Sequence, residues 1–349
     1  MAEILIAADA LTAVAASIVR AAGSDEREAG IVARNLVGAN LAGHDSHGVG
    51  MLPRYIEVLV AGNLQPNQHP TIEFDTGPLL RVNGNEGYGQ VIGLETMELA
   101  IARAKTHGVC VAGLTNSHHI GRIGQWAEQC IDAGVVSIHF VNVLPRPIVA
   151  PFAGSDGRFS TNPFCVGIPL AGQPPFVLDL ATSKVAQGKV RVAYNKGETL
   201  APGCLLDAEG KPTNDPKHGV VDPIGALLPF GEHKGYGLAM ACELLAGAVA
   251  GGGTLHDGNN HRRQIINNML SILIDPRIYG TSEVCAKQAA AFVDWVKASP
   301  PRDGQEVLIA GDPERRRKAD RLANGIAVDA NTWEEIRAAG SKVGFTVPG

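Results

Sequence analysis

From residue 72 onward the chain alternates short apolar runs with longer amphipathic stretches, and no other feature limits its fold as much. "LLRVNG" reads as a strand, and "QVIGLETMELAIARAKTHG" reads as a helix that Gly108 closes. "VCVAGLT" is strand-like, "GRIGQWAEQCIDAG" helical, and "VVSIHFVNV" and "PFVLDLA" are further strands. "SKVAQGKVRVAYNKG" reads as a helix and "MLSILID" as a strand. Alternation of this kind stacks helices on a sheet, so it predicts an α/β layer. The turn-rich stretch 201–217 reads as a surface excursion.

The texture before residue 72 differs. Residues 11–22 and 25–42 predict two helices parted by Gly23, with Ser24 as the cap of the second and Asp25 and Glu26 at its positive end. Ala29, Val32, Leu36 and Ala39 give that helix a buried stripe. Gly43 ends it, which leaves His44–His47 just past a helix end, and a third helix follows over 51–61. Beyond Lys234, Leu238, Cys242, Leu245 and Val249 recur at helical spacing. Further helices are predicted over 282–297, 314–323 and 332–339, the last capped by Asn331 with Glu334.

Charge and cysteine usage exclude several classes. The net charge is −5, and the densest basic run, Arg315–Lys318, follows Asp312 and Glu314. That run reads as a solvated helix face, with a phosphate contact as the other reading, and nucleic acid is not expected as a partner. Six cysteines are scattered with no CxxC pair, which fits reduced thiols in a cytoplasmic enzyme. The first twenty residues carry no positive charge before Arg20, unlike a signal peptide. The longest apolar candidate for a membrane span, Leu238–Val249, is short and contains Glu243.

Gly87-Tyr88-Gly89-Gln90-Val91-Ile92-Gly93 follows a strand and opens a helix, but its spacing is GxGxxxG and no ribose-binding acid follows. It reads as a tight turn needing positive φ. Any nicotinamide cofactor then binds by another fold. The histidines are more informative. His44 and His47 flank Asp45 and Ser46, and His118 and His119 lie between a strand end and a helix start. A hydrolase triad is disfavoured, since side chains of consecutive residues diverge and no GxSxG elbow occurs. A metal site stays open, although no HExxH or ligand-spaced carboxylate supports it. General acid–base chemistry fits best, because imidazole exchanges protons near neutral pH.

At this point the chain resembles the type-2, non-Rossmann malate/L-lactate dehydrogenases. The matching stretches are "AGHDSHGVGMLPRY", "NSHHIGRIGQWAEQC", "VAPFAG…STNPFCVGIP", "LDLATSKVAQGK", "PGCLLDAEGKPTNDP" and "EHKGYGLAMACELLAGAVAGG", in order over most of the chain. The resemblance implies a three-layer mixed-sheet domain, and a helical domain built from N- and C-terminal segments. It divides the chain into 1–71, a cofactor and substrate domain at 72–235, and a returning helical segment at 236–349. It implies a homodimer, NAD or NADP as cofactor, a 2-hydroxy or 2-oxo acid as substrate, and no resident metal. His47 corresponds to the family's catalytic histidine, and His119 to a histidine that some relatives use in catalysis. Asp179 is the candidate to orient His47. Cofactor contacts are implied at His47, Gly121, Arg122, Ile123, Leu178, Asp179, Leu180, Ala181, Thr182, His233, Lys234, Asn267, Gly311, Asp312, Pro313 and Glu314. Many relatives carry an arginine where this chain has Met51, so Arg122 or Arg54 is expected to hold the substrate carboxylate, and the pocket is expected to admit larger acyl chains. Arg146 is a further candidate charge.

Overall fold

The protein is described by a computed structural model covering residues 3–256, 264–280 and 282–348. Strand β1 (Glu3–Ile6) leads into helices α1 (Ala8–Ala21) and α2 (Glu26–Leu41), which pack through Leu11, Ala15 and Ile18 on one side and Val32 and Leu36 on the other. Asp25, not Ser24, caps α2, because Asp25 has the extended backbone of a cap and its carboxylate accepts from Glu28 N at 2.7 Å. Ser24 instead donates to the Glu28 carboxylate at 2.6 Å. Helix α3 (Leu52–Val60) completes this helical half from the N-terminal side.

A seven-stranded sheet forms the other half. It comprises β2 (Thr71–Asp75), β3 (Leu79–Asn83), β4 (Val109–His118), β5 (Val136–Leu144), β6 (Phe164–Ile168), β7 (Phe176–Leu180) and β11 (Ile266–Ile274). Their order is β2-β3-β4-β11-β5-β6-β7. Only β3 and β4 are parallel neighbours, joined by the crossover helix α4 (Gly89–His107), so the sheet is mixed. Helices α4 and α5 (Gly124–Asp132) cover one face through Ile92, Met97, Trp126 and Cys130. The other face carries α7 (His233–Cys242) and its π-helical continuation, Glu243–Val249. The α/β three-layer expectation therefore holds. The expected boundary at residue 236 is corrected in one respect: β11, from the stretch assigned to a helical return, lies between β4 and β5. Its pairings are non-local, and no local pattern reveals them.

The 201–217 excursion is mostly exposed, as expected, but carries some regular structure. It contains β8 (Leu205–Leu206) and β9 (Pro212–Thr213), which join β10 (Ala226–Leu227) in a small sheet. Leu205 is buried there against Val190 of α6 (Gln187–Lys196). Helices α8 (Ser282–Lys297) and α9 (Asp312–Asn324) follow, and α9 packs on α2. Strand β12 (Ile326–Asp329) pairs antiparallel with β1, and α10 (Ala330–Lys342) packs on α3 and α1. Asp329 caps α10, accepting from Thr332 N at 3.0 Å, in place of the expected Asn331–Glu334 pair.

The glycines before α4 are not there for positive φ. The left-handed residues of that turn are Asn85 and Glu86. Gly89 allows close approach instead: a Cβ there would stand 2.3 Å from the His119 carbonyl oxygen. No helix among the described residues is long and apolar enough to cross a membrane.

Candidate active site

Four segments converge between the two halves. The first is the histidine turn after α2. Gly43, at φ +83°, turns the chain out of the helix, and Asp45–His47 forms one 3-10 turn. Asp45 is an anchor: it accepts from Asn40 Nδ2 at 2.7 Å and from both terminal nitrogens of Arg321 on α9. Opposite, a Cβ on Gly188 would lie 2.5 Å from that of Ser46, so α6 closes on the turn. Clamped this way, His44 Nε2 faces Glu314 Oε1 at 3.4 Å, and His47 Nδ1 meets Ser46 Oγ at 2.9 Å.

The second segment is the end of β4. The His119 ring stacks on His47, centroids 5.4 Å apart and planes 22° apart. His119 Nδ1 lies 2.6 Å from the Tyr55 hydroxyl, which also accepts from Gln90 Nε2 at 2.8 Å. His118 is fully buried edge-on to Tyr55, and neither of its ring nitrogens has a partner. Burial sets the charge state of all three histidines. It lowers His47 to about 4, against the pull of Asp179 and helped by His44 and Arg122. It lowers His118 to about 3 and holds His119 well below the ordinary value. His47 and His119 come together, but His44 and His118 turn to other neighbours. Among the described residues no three His, Cys, Asp or Glu side chains gather as metal ligands would.

The third and fourth segments are β7 and the start of α9. Val177 N donates to Ala310 O and Arg315 to Pro175 O, which docks the 309–311 segment and the start of α9 on the strand. Gly311 takes φ +95°, and Asp312 and Pro313 lie in the first turn of α9, not in a loop before it. The Asp312 carboxylate accepts from Arg315, Lys297 and Ile309 N. Glu314 is held below the usual carboxylate range, first by its hydrogen bond to His44. Between these parts lies a cavity of about 200 Å³ lined by Arg122, Asp179, Gly311, Glu314, Arg315 and Lys318, among others.

Arg122 is the buried cation of the site. Its Nη2 donates to Glu128 at 2.6 Å, while its Nε and Nη1 are buried with no hydrogen-bond partner. Burial opposes its charge, but Glu128 and then Asp179 hold the guanidinium above its ordinary value. Asp179 does not orient His47 by hydrogen bonding. Its Oδ2 accepts from Gly124 N at 2.8 Å, at the start of α5, and lies 3.9 Å from Arg122 Nη1. Ser46 is the residue on His47 Nδ1, and Asp179 acts on His47 through charge.

The other predicted positions fall into place unevenly. Gly121 has φ +72°, and Ile123 is buried in the sheet core. Leu178, Leu180 and Ala181 are half-buried along and just past β7. Thr182 is buried, donating to Thr161 O and accepting from Phe230 N, which ties this strand to the turn before α7. His233 and Lys234 are exposed in the first turn of α7. Asn267 spends its amide on Ile120 N and Asn142 O, so it supports the 119–123 loop rather than presenting a free polar group. Arg54 pairs with Glu57 at 2.7 Å, and Arg146 is exposed. Met51 packs on the helical core as an apolar wall. Sequence reasoning missed Ser46, Tyr55 and Gln90. Tyr55 stood inside the quoted "MLPRY" stretch, but nothing local says that α3 turns it toward His119.

The buried Arg122 Nε and Nη1, which lack hydrogen-bond partners, the cavity that Arg122 lines, and the amides opening α7 and α9 suit a flat ligand bearing phosphate or carboxylate. Comparison with known proteins agrees with that chemistry. The sequence pattern of the malate/L-lactate dehydrogenase family matches residues 6–337. Hydroxycarboxylate dehydrogenase B of Escherichia coli O157:H7 is 47% identical over 331 residues, 94% of this chain and 91% of that protein. The solved sulfolactate dehydrogenase of Methanocaldococcus jannaschii is 32% identical with a TM-score of 0.86, over 99% of this chain and 98% of that one. The Δ1-piperideine-2-carboxylate reductase of Pseudomonas syringae pv. tomato is 29% identical with a TM-score of 0.84, over 96% of this chain and 99% of that one.

Proposed function

Because the chain belongs to the malate/L-lactate dehydrogenase family, we propose that it is an NAD- or NADP-dependent enzyme interconverting L-2-hydroxy and 2-oxo acids. The observations that carry this reading are the buried Arg122, whose Nε and Nη1 have no hydrogen-bond partner, and His47, stacked on His119. A carboxylate needs the first and a proton-exchanging oxygen needs the second.

The nicotinamide cofactor, when bound, supplies or accepts the hydride at the substrate's C2. The residues that would hold it are Gly121–Ile123, Leu178–Thr182, Gly311–Glu314 and Lys234, with the amides of the α7 and α9 N-termini favouring its phosphates. Arg122 orients the substrate through its carboxylate. His47 takes the hydroxyl proton in oxidation and returns it in reduction, with Ser46 on Nδ1 holding the ring. Neutral His47 in the free protein suits the oxidising direction. Positioning supplies much of the rate. Met51, apolar where many relatives have arginine, supports substrates with bulky or aryl side chains. The reading includes a cytoplasmic homodimer, for which the family and five buried free cysteines are the support.

The test is turnover of a 2-oxo acid panel with NADH and NADPH: pyruvate, oxaloacetate, 2-oxoglutarate and phenylpyruvate. Fast turnover of the aryl member supports the reading. Turnover of cyclic 2-imino acids alone would replace it with imine reduction, the chemistry named for the Pseudomonas relative.

A further inference from the structure

Tyr55, Gln90 and His119 form a buried chain whose hydrogen atoms can be counted. Tyr55 and Gln90 are fully buried, and His119 is 9% exposed. An amide nitrogen only donates, so Gln90 Nε2 occupies a lone pair of the Tyr55 oxygen. The one hydroxyl hydrogen is then left for His119 Nδ1, 2.6 Å away. A neutral imidazole that accepts at Nδ1 carries its hydrogen on Nε2. Turning the Gln90 amide over would reverse everything: its oxygen would take the hydroxyl hydrogen, and His119 would have to donate from Nδ1. The structure has the first arrangement, with Gln90 Nε2 toward the Tyr55 oxygen and Gln90 Oε1 buried without a partner. Gln90 sits in the first turn of α4, fixed by the close approach of Gly89 to the His119 backbone.

We propose that Gln90 is a positioning residue that sets the tautomer of His119, so that His119 presents an Nε2–H donor to the substrate oxygen beside His47. The proposal rests on the reading of His47 and His119 as neighbours of the reacting oxygen. A fixed donor there stabilises the developing alkoxide in reduction, while His47 supplies the proton.

The experiment is two-bond 1H–15N NMR of the histidine rings in the full-length protein, with His119 peaks assigned by their loss in His119→Gln. The wild type should show His119 protonated on Nε2. Gln90→Glu, read at a pH high enough to ionise a carboxyl at this buried place, can only accept, and should move the proton to Nδ1. Its kcat should fall about 10²-fold, with the dissociation constant for NADH changed less than about twofold, because no cofactor contact is removed. Tyr55→Phe keeps the ring, removes the relay, and should leave a mixture of tautomers should Gln90→Glu not fold. A wild-type His119 protonated on Nδ1, or a tautomer unmoved in both variants, would overturn the proposal. A tautomer that moves as stated, in an enzyme that reduces no oxo or imino acid, would sink the functional reading and leave the Gln90 assignment standing.

Discussion

The two walls of the site are built from opposite materials. The inner wall, His119 with Tyr55, Gln90 and His118, is buried throughout, and its hydrogen bonds are few and directional. The outer wall, His44 with Glu314, Arg315 and Lys318, is partly open to solvent and held by ion pairs. A buried polar contact loses its partner at full desolvation cost, whereas a half-exposed ion pair is largely replaced by water. Under the proposed function the inner wall governs chemistry and the outer wall tunes affinity. Histidine occurs in both, so residue type alone does not say which role a position has.

Four measurements test the difference between the two walls. His47→Ala, at the meeting of the walls, should lower kcat by about 10²–10⁴-fold, with circular dichroism and cofactor affinity retained. Near-normal turnover would remove His47 from the mechanism. Arg122→Lys keeps a charge but loses the fork, and should lower kcat/KM for the oxo acid about 10²-fold. The loss should appear mainly in KM if Arg122 holds the carboxylate in ground and transition states alike.

Acid should destabilise the protein through its buried histidines. His47, His118 and His139 are lowered to about 4, 3 and 3 from 6.5. Below 6.5 the unfolded chain takes up protons that the folded state refuses, so stability is full above 6.5 and is lost as pH falls toward 4. The slope is on the order of 1 kcal/mol per pH unit for each histidine. Urea unfolding at pH 5 and pH 7 reads it, and equal stabilities would contradict the burial argument. The smallest effect belongs to the outer wall. Glu314→Gln should change NADH affinity less than about fivefold, as a half-exposed pair does. A loss of fiftyfold or more, on the order of a lost buried contact, would erase the distinction between the walls.

Much of this architecture was legible because it is local. Helix α4 reads from its apolar spacing, and Gly108 closes it with φ +84°. The histidine turn reads from Gly43. What stayed hidden is non-local or ambiguous. Strand β2 is exposed at all five positions, so it carries no alternation to find. Strand β11 reads as a strand, but its place between β4 and β5 depends on partners more than a hundred residues away. Asp179 is the expected orienter of His47 by residue type, yet its Oδ2 accepts from the backbone amide opening α5 and Ser46 lies on His47 Nδ1. Met51, expected to admit larger acyl chains, packs in part against the helical core, a contact that the sequence did not reveal.

The pairing of Glu3–Ile6 with Ile326–Asp329 has a consequence for how the chain is made. During synthesis the sheet cannot be completed until β11 emerges, and the helical half cannot be closed until β12 does. Contacts between residues this far apart in sequence form late. The histidine turn, clamped by Arg321, and the β4 end, braced by Asn267, wait on those two events in turn. A growing chain therefore carries every residue of the inner wall long before β11 and β12 let the walls come together.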